Sequence, residues 1–389
     1  MPHIKVKKFN IERLRELDFI DFLAKDIKRD DLYMAGVDYK KEKFLLEIKS
    51  KDNLILIKPE KVSRINDSEI IKELLGEIAT KLDLDIVGAN INLYPNRVKK
   101  AREYLKDIRY FYNIEDIAKD FEKVCLEIGF GSGRHILYQA KKNPNNLYIG
   151  IEIHTPSIEQ LLKQININRL KNILVVNYDA RLLLEILPSN FLDIIYLHFP
   201  VPWDKKPHRR VINQHFLKES FRVLKKDSYL ELRSDSKNYY YYSLQEADKF
   251  RDFRVSIFKN LSLEVISKYE ARWRRENKDI YTIYFYSIED SLPKSRDFDF
   301  TFNILVNKEK IISLKKEPFV FEDFFLHFKR VFEMIDGSGF LIELSFGDFN
   351  RPEHKFLIIK DKEVSYFPTE PVKINSSYLA HQKIKEVLQ

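Results

Sequence analysis

Three of the chain's ten glycines fall within five residues, at Gly129, Gly131 and Gly133. The apolar run Val124–Ile128 precedes them, and a segment of helical character follows from Arg134. A strand, a glycine loop and a helix in that order let the backbone approach a nucleotide at a helix N-terminus. The dinucleotide fingerprint G-x-G-x-x-G needs a third glycine where this chain has Arg134, which argues against NAD or FAD. A tight strand–helix turn without a ligand is the plainer alternative, and the rest of the chain has to decide.

From Val124 onward, short apolar runs alternate with helical segments. The expected strands are Val124–Ile128, Leu147–Glu152, Ile173–Asn177, Leu192–His198, Tyr229–Arg233, Leu263–Ser267 and Tyr281–Ile288. Long crossovers separate the first five, which implies parallel pairing, whereas the last two have no long helix between them and are expected to close the sheet antiparallel. The predicted fold class is α/β, a Rossmann-like, seven-stranded, mostly parallel sheet over residues 111–290. Residues 1–110 and 291–389 read as flanking α+β extensions. In the first, Phe44–Ile48 and Asn53–Ile57 predict a hairpin. Asp67 is expected to cap a helix over Ile70–Leu82, and a second, basic helix is expected to run from Arg97 to Tyr110. In the second, Phe321–Ile335 predicts an amphipathic helix, with turns at Asp336–Gly339 and Lys360–Glu363.

Composition narrows the class. A chain that is 44% hydrophobic and 32% charged is globular rather than disordered. The longest stretch free of charge, Ile86 to Asn96, is shorter than the roughly 20 apolar residues a membrane span requires. The N-terminal residues lack an apolar h-region, so no secretory signal and no membrane association are expected. Cys125 is the single cysteine, which excludes an intrachain disulfide and a multi-cysteine zinc site and suits a reducing cytoplasm; no metal is expected. The net charge of +8 is spread along the chain, so contact with nucleic acid has to come from local clusters.

Three carboxylates stand at or near successive strand ends: Glu127, Glu152 and Asp179. Ligands of open α/β sheets bind outside those ends, and an acid after the second strand is placed to accept ribose hydroxyls. Asp179 could accept from an adenine amino group. Singly, each acid also reads as a solvated loop carboxylate. After the fourth strand, Phe199-Pro200-Val201-Pro202-Trp203 leads into Lys205, Lys206, Arg209 and Arg210. Rings beside clustered cations suit a nucleic-acid substrate, the cations holding phosphate and the rings walling a base. A solvated basic face is the alternative. Asp235 ends the fifth strand, and Ser267–Arg275 contains Glu270 and the second tryptophan, Trp273. Asp235 and Glu270 could accept from guanine N1–H and its exocyclic amine, or serve as surface ion-pair partners.

The spacing acid-x-G-x-G-x-G from Glu127 resembles the glycine loop of S-adenosylmethionine-dependent methyltransferases. Adding Gly150–His154, Asp179, the Phe199–Arg210 loop and Ser267–Glu270 ahead of Ile280-Tyr281, residues 113–290 resemble the bacterial tRNA (guanine-N7-)-methyltransferases. The resemblance implies a class I fold, S-adenosylmethionine as cofactor, and methylation of guanine-46 in the tRNA variable loop. It implies cofactor contacts from Glu127, Gly129, Gly131, Gly133, Glu152 and Asp179, and tRNA contacts from Lys205, Asp235 and the Ser267–Glu270 segment. Lys206, Arg209 and Arg210 are expected to add phosphate contacts, and the oligomeric state is left as monomer or homodimer. The family has Pro-Asp-Pro-Trp where this chain has Pro200-Val201-Pro202-Trp203. No catalytic residue is therefore assigned. Two alternatives stand beside this one: a non-catalytic RNA-binding protein keeping the fold, and a methyltransferase acting on another RNA base.

Overall fold

The computed structural model describes all residues except 64, 66, 93–99, 266, 267, 296, 316, 361 and 362, and leaves the side chains of Lys268 and Tyr269 undescribed. The chain divides into two units, residues 98–296 and residues 1–97 with 297–389.

In the first unit the strands are β1 (Val124–Ile128), β2 (Leu147–Ile151), β3 (Ile173–Val176), β4 (Leu192–His198), β5 (Leu224–Ser234), β6 (Arg254–Lys259) and β7 (Tyr281–Tyr286). The helices that matter for the site are α1 (Arg134–Lys142), α2 (Thr155–Asn168), α3 (Ala180–Ile186), α4 (Gln214–Val223), α5 (Lys237–Ala247) and α6 (Lys268–Arg275). The sheet order is β6-β7-β5-β4-β1-β2-β3, and the two-residue strand Leu105–Lys106 adds an eighth member beside β3. Strands β1 to β5 are mutually parallel, and β7 runs antiparallel to both β5 and β6. Every residue of β1, β2 and β3 is buried. Helices on both faces of a parallel sheet leave no solvent face for polar alternation, so such strands are almost wholly apolar.

Register brings the carboxyl ends level. Ile128 pairs with Ile151 and Leu197, Ile151 with Val176, and His198 with Arg233. The loops after five strands therefore open on one rim. The chain starts at β1, builds outward to β3 and returns to β4, so the strand order reverses between β1 and β4, where a crevice forms.

Two sequence-based expectations fail in this unit. The sixth strand is Arg254–Lys259, and Leu263–Val265 are not strand. An edge strand with four of six residues exposed carries little apolar patterning, whereas the Leu261–Val265 run looks more strand-like than it is. Asn260 ends the pairing: its backbone turns to φ 60°, and its side chain accepts from Ile280 N–H and donates to Asp279. The basic helix expected from Arg97 to Tyr110 begins outside the described residues. Its described part consists of 3-10 turns at Arg102–Tyr104 and Ile108–Asn113, on either side of Leu105–Lys106.

Among the described residues, the second unit joins both ends of the chain in one 11-stranded sheet, where two separate extensions were expected. The joint is antiparallel pairing of Ala24, Lys25 and Asp26 with Met334, Glu333 and Phe332. The hairpin forms between Glu42–Lys51 and Leu54–Pro59, and Asp67 caps the helix Ser68–Lys81 by accepting from Glu69 and Ile70 N–H. The expected helix Phe321–Ile335 is instead a strand, Phe325–Met334. A register shift between Phe328 and Arg330 moves Val331 and Phe332 off strict alternation, and the resulting spacing of Phe328, Val331 and Phe332 imitates a helix. The Asp336–Gly339 turn connects this strand to Gly339–Gly347, and the centre of the Lys360–Glu363 turn lies outside the described residues.

Candidate active site

The glycine loop opens the rim. Gly129, Gly131 and Gly133 have φ of 68°, 52° and 74°, a region L side chains rarely adopt. They divide by role. A Cβ on Gly133 would lie 2.8 Å from Leu161 Cδ1 of α2, so this glycine permits close packing of α1. A Cβ on Gly129 would meet nothing within 4 Å, and one on Gly131 only the Gly129 carbonyl at 3.9 Å. Those two leave open space above a bare backbone. Gly129 N–H donates to Ile151 O at 2.8 Å, fixing the loop to the end of β2.

Glu152 follows directly and is half-buried. Its Oε2 accepts from Gly131 N–H at 3.2 Å, and its Oε1 from Ile153 and His154 N–H at 2.8 and 3.0 Å. Its carboxylate is thus oriented against the glycine loop. Asp179 caps α3, accepting from Arg181 N–H at 2.9 Å, and its two oxygens take Nε and Nη2 of Arg181 at 3.0 and 2.6 Å. Glu127 is buried in β1, and its Oε2 lies 2.9 Å from Nδ1 of His135 on α1.

Beneath the rim lies a buried polar layer that the sequence did not announce. His135 packs edge-to-face on Tyr196 and His198, both at 4.6 Å between ring centroids. Burial opposes charge on His135, yet the field and hydrogen bond of Glu127, reinforced by Glu231, raise its pKa. His198 Nε2 lies 3.1 Å from Glu231 Oε1. Burial likewise works against the Glu231 carboxylate, but His198, Arg233 and His135 together hold it below the usual carboxylate range. Cys125 sits in the same core, where burial pushes its thiol to about 12 and leaves it inert.

On the far side of the crevice, the Phe199–Arg210 loop carries two aromatics with left-handed backbones, Phe199 (φ 53°) and Trp203 (φ 46°). Val201 is exposed, as are Lys205, Lys206 and Arg209, the last with its guanidinium 5.2 Å from the centre of the Trp203 ring. Arg210 departs from expectation. It is buried, donates to the Pro202 carbonyl at 2.7 Å, meets Asp204 at 3.3 Å, and lies 4.4 Å from the Tyr242 ring centre. This cation braces the loop from inside and is not presented to a phosphate.

Glu270 is the second correction. It is 1% exposed, its Oε1 lies 2.7 Å from Arg233 Nη2 and 2.9 Å from Arg274 Nε, and Arg233 is itself fully buried. A carboxylate closed on two guanidinium groups holds α6 against β5 and does not present itself to a base edge. Asp235 does reach the rim, paired with Lys278 at 3.3 Å. Ser267 lies outside the described residues. Only the eight-residue separation of Glu127 and His135, strand end to first helical turn, hinted at the inner layer.

A doubly wound sheet with an antiparallel last strand inserted before the sixth, a glycine cradle after β1 and a carboxylate after β2 defines a class I S-adenosylmethionine-dependent methyltransferase. Residues 121–283 match the family described as "Putative methyltransferase". A Wolinella succinogenes protein named tRNA (guanine-N(7)-)-methyltransferase is 38% identical over 91% of this chain and 90% of its own length. Proteins of the same name from Campylobacter jejuni and Helicobacter pylori are 35% and 38% identical over the whole of this chain, covering 99% and 98% of theirs. The chain belongs to the tRNA (guanine-N(7)-)-methyltransferase family. Among the described residues, no helix is long and apolar enough to cross a membrane.

Proposed function

We propose that this chain transfers a methyl group from S-adenosylmethionine to N7 of guanine-46 in the variable loop of tRNA, in the cytoplasm. The observation that carries the reading is the open backbone of Gly129 and Gly131, with the Glu152 carboxylate turned against it, on a rim shared with Asp235 and the Phe199–Arg210 loop.

Bound S-adenosylmethionine supplies an electrophilic methyl on a sulfonium sulfur. The glycine loop gives it room, Glu152 has lone pairs left for the ribose hydroxyls, and Asp179 stands at the end of β3 for the adenine. Guanine N7 carries an in-plane lone pair and no proton. Transfer of that methyl to N7 would leave the positive charge on the base in place of the sulfur and would release no proton. No general base is required, so Val201 in place of the family's aspartate is compatible with turnover. Alignment of N7 with the methyl carries the rate. Asp235 accepts from the Watson–Crick edge of guanine and offers negative charge as the base becomes cationic. Lys205, Lys206 and Arg209 hold the backbone phosphates.

The test is nucleoside mass mapping of unmodified tRNA incubated with the purified chain and S-adenosylmethionine. Formation of 7-methylguanosine at the variable-loop position is expected. Methylation of a different base would move the activity to another RNA target. Binding of tRNA and cofactor without any methyl transfer would leave a binding protein that keeps the fold.

A further inference from the structure

Phe199 and Trp273 come from distant parts of the chain and meet with ring centroids 5.0 Å apart and planes tilted by 45°. Each is held there. Phe199 directly follows β4, and its N–H donates to Arg233 O at 2.7 Å. Its φ of 53° is uncommon for a bulky residue and persists where the surroundings over-determine it. Trp273 lies on α6, which the buried Glu270 locks to Arg233, with Arg274 donating to the Leu261 carbonyl at 3.0 Å. Both rings are only half-buried. Lys278 lies 5.5 Å from the centre of the Trp273 ring and 3.3 Å from Asp235, so the aromatic pair and the rim carboxylate share one cation.

We infer that the Phe199–Trp273 pair is the stacking surface for the target guanine, with Trp273 as the substrate-positioning ring. The inference rests on the reading above and names the side chains that hold the base. Every base has a flat π-face that stacks on an aromatic ring, and an unstacked nucleotide from a loop is recognised this way and then read along its edge. A purine on Trp273 has the Asp235 carboxylate near its rim for the donors of guanine. The buried Arg233–Glu270 pair acts through α6 by fixing where the indole stands.

The chain has two tryptophans, so Trp203→Phe leaves Trp273 as the only indole. Its emission is read while this full-length variant is titrated, with S-adenosylhomocysteine present, with tRNA carrying guanosine at the target and with the same tRNA carrying an abasic nucleotide there. Quenching that depends on the guanine is expected, with filter binding showing that both tRNAs are bound. Equal quenching by both tRNAs, or none by either, overturns the inference. In a second arm with Trp203 intact, Trp273→Ala should lower kcat/KM about tenfold or more, and Trp273→Phe should restore most of it. Cofactor affinity should be unchanged in both. Equal activity of the alanine and phenylalanine variants overturns the inference. Wild-type protein that makes 7-methylguanosine while Trp273 ignores the base removes the stacking surface alone. Wild-type protein that makes none removes the underlying reading.

Discussion

Arg233 Nη2 and Glu270 Oε1 lie 2.7 Å apart with both side chains sealed from solvent, and this contact joins the end of β5 to α6. Arg233 also donates to Thr282 Oγ1 on β7 at 3.0 Å, so the cation ties three elements together. Removing one partner of such a pair strands a buried charge, which typically costs about 3–5 kcal/mol, whereas replacing both with apolar groups can be nearly neutral. Glu270→Ala should therefore destabilise the protein far more than the double change Glu270→Leu, Arg233→Met. Urea unfolding of the three proteins checks this, and equal losses for single and double variants would show the pair to be unimportant.

Glu152 gives the clearest cofactor test. A hydrogen bond to a charged group is worth about 1.5–3 kcal/mol. Glu152→Ala should weaken S-adenosylmethionine binding tenfold or more by calorimetry, with a cooperative melt retained because the residue is only half-buried. Unchanged affinity in the folded variant would remove Glu152 from the ribose.

The cations of the Phe199–Arg210 loop separate by burial. Lys206 and Arg209 are exposed, so neutralising both should flatten the salt dependence of tRNA affinity, the slope falling by nearly one for each phosphate no longer neutralised. Arg210 is buried against Pro202 and Tyr242, so Arg210→Ala should instead lower the melting temperature. Filter binding across a salt series, beside thermal melts, reads both. A steep slope preserved without Lys206 and Arg209 would place the phosphates elsewhere.

In the unit built from the two chain ends, His381 is fully buried, and burial pushes its pKa down to about 4. Its Nδ1 lies 3.0 Å from the Tyr366 hydroxyl and its Nε2 3.2 Å from the Thr301 carbonyl. The unfolded chain takes up this proton near pH 6.5 and the folded one only near 4. Stability linked to His381 is therefore complete above about pH 6.5 and declines as the pH falls toward 4. His381→Phe should lose that part of the acid sensitivity. Parallel melting curves for wild type and variant from about pH 7.5 to 4.5 would exclude it.

The parallel strands were legible because a strand covered on both faces has little choice but to be almost wholly apolar, as β1 to β3 are but for Glu127. The turn built by the glycine loop was legible because strand, glycines and helix follow one another within a few residues of chain, and Glu152 stands against that loop from the end of the next strand. Burial of a charge was not. Arg210 and Glu270 look like surface ions in sequence, and only packing against Tyr242 and Arg233 makes them internal. The Phe325–Met334 strand was hidden by its register shift. The joining of the two flanks was hidden because Asp26 and Phe332 carry no local mark of each other.

That last pairing has a cost in time. Asp26 and Phe332 are about 300 residues apart, and contacts of such separation form late. During synthesis the Ile20–Asp26 strand leaves the ribosome with one edge unsatisfied. At about 5–20 residues per second it waits for tens of seconds while the whole intervening unit is made. An open edge is a template for any other strand. The newborn chain thus passes through an interval of exposure that the finished molecule no longer has, and the arrival of Phe325–Met334 ends it.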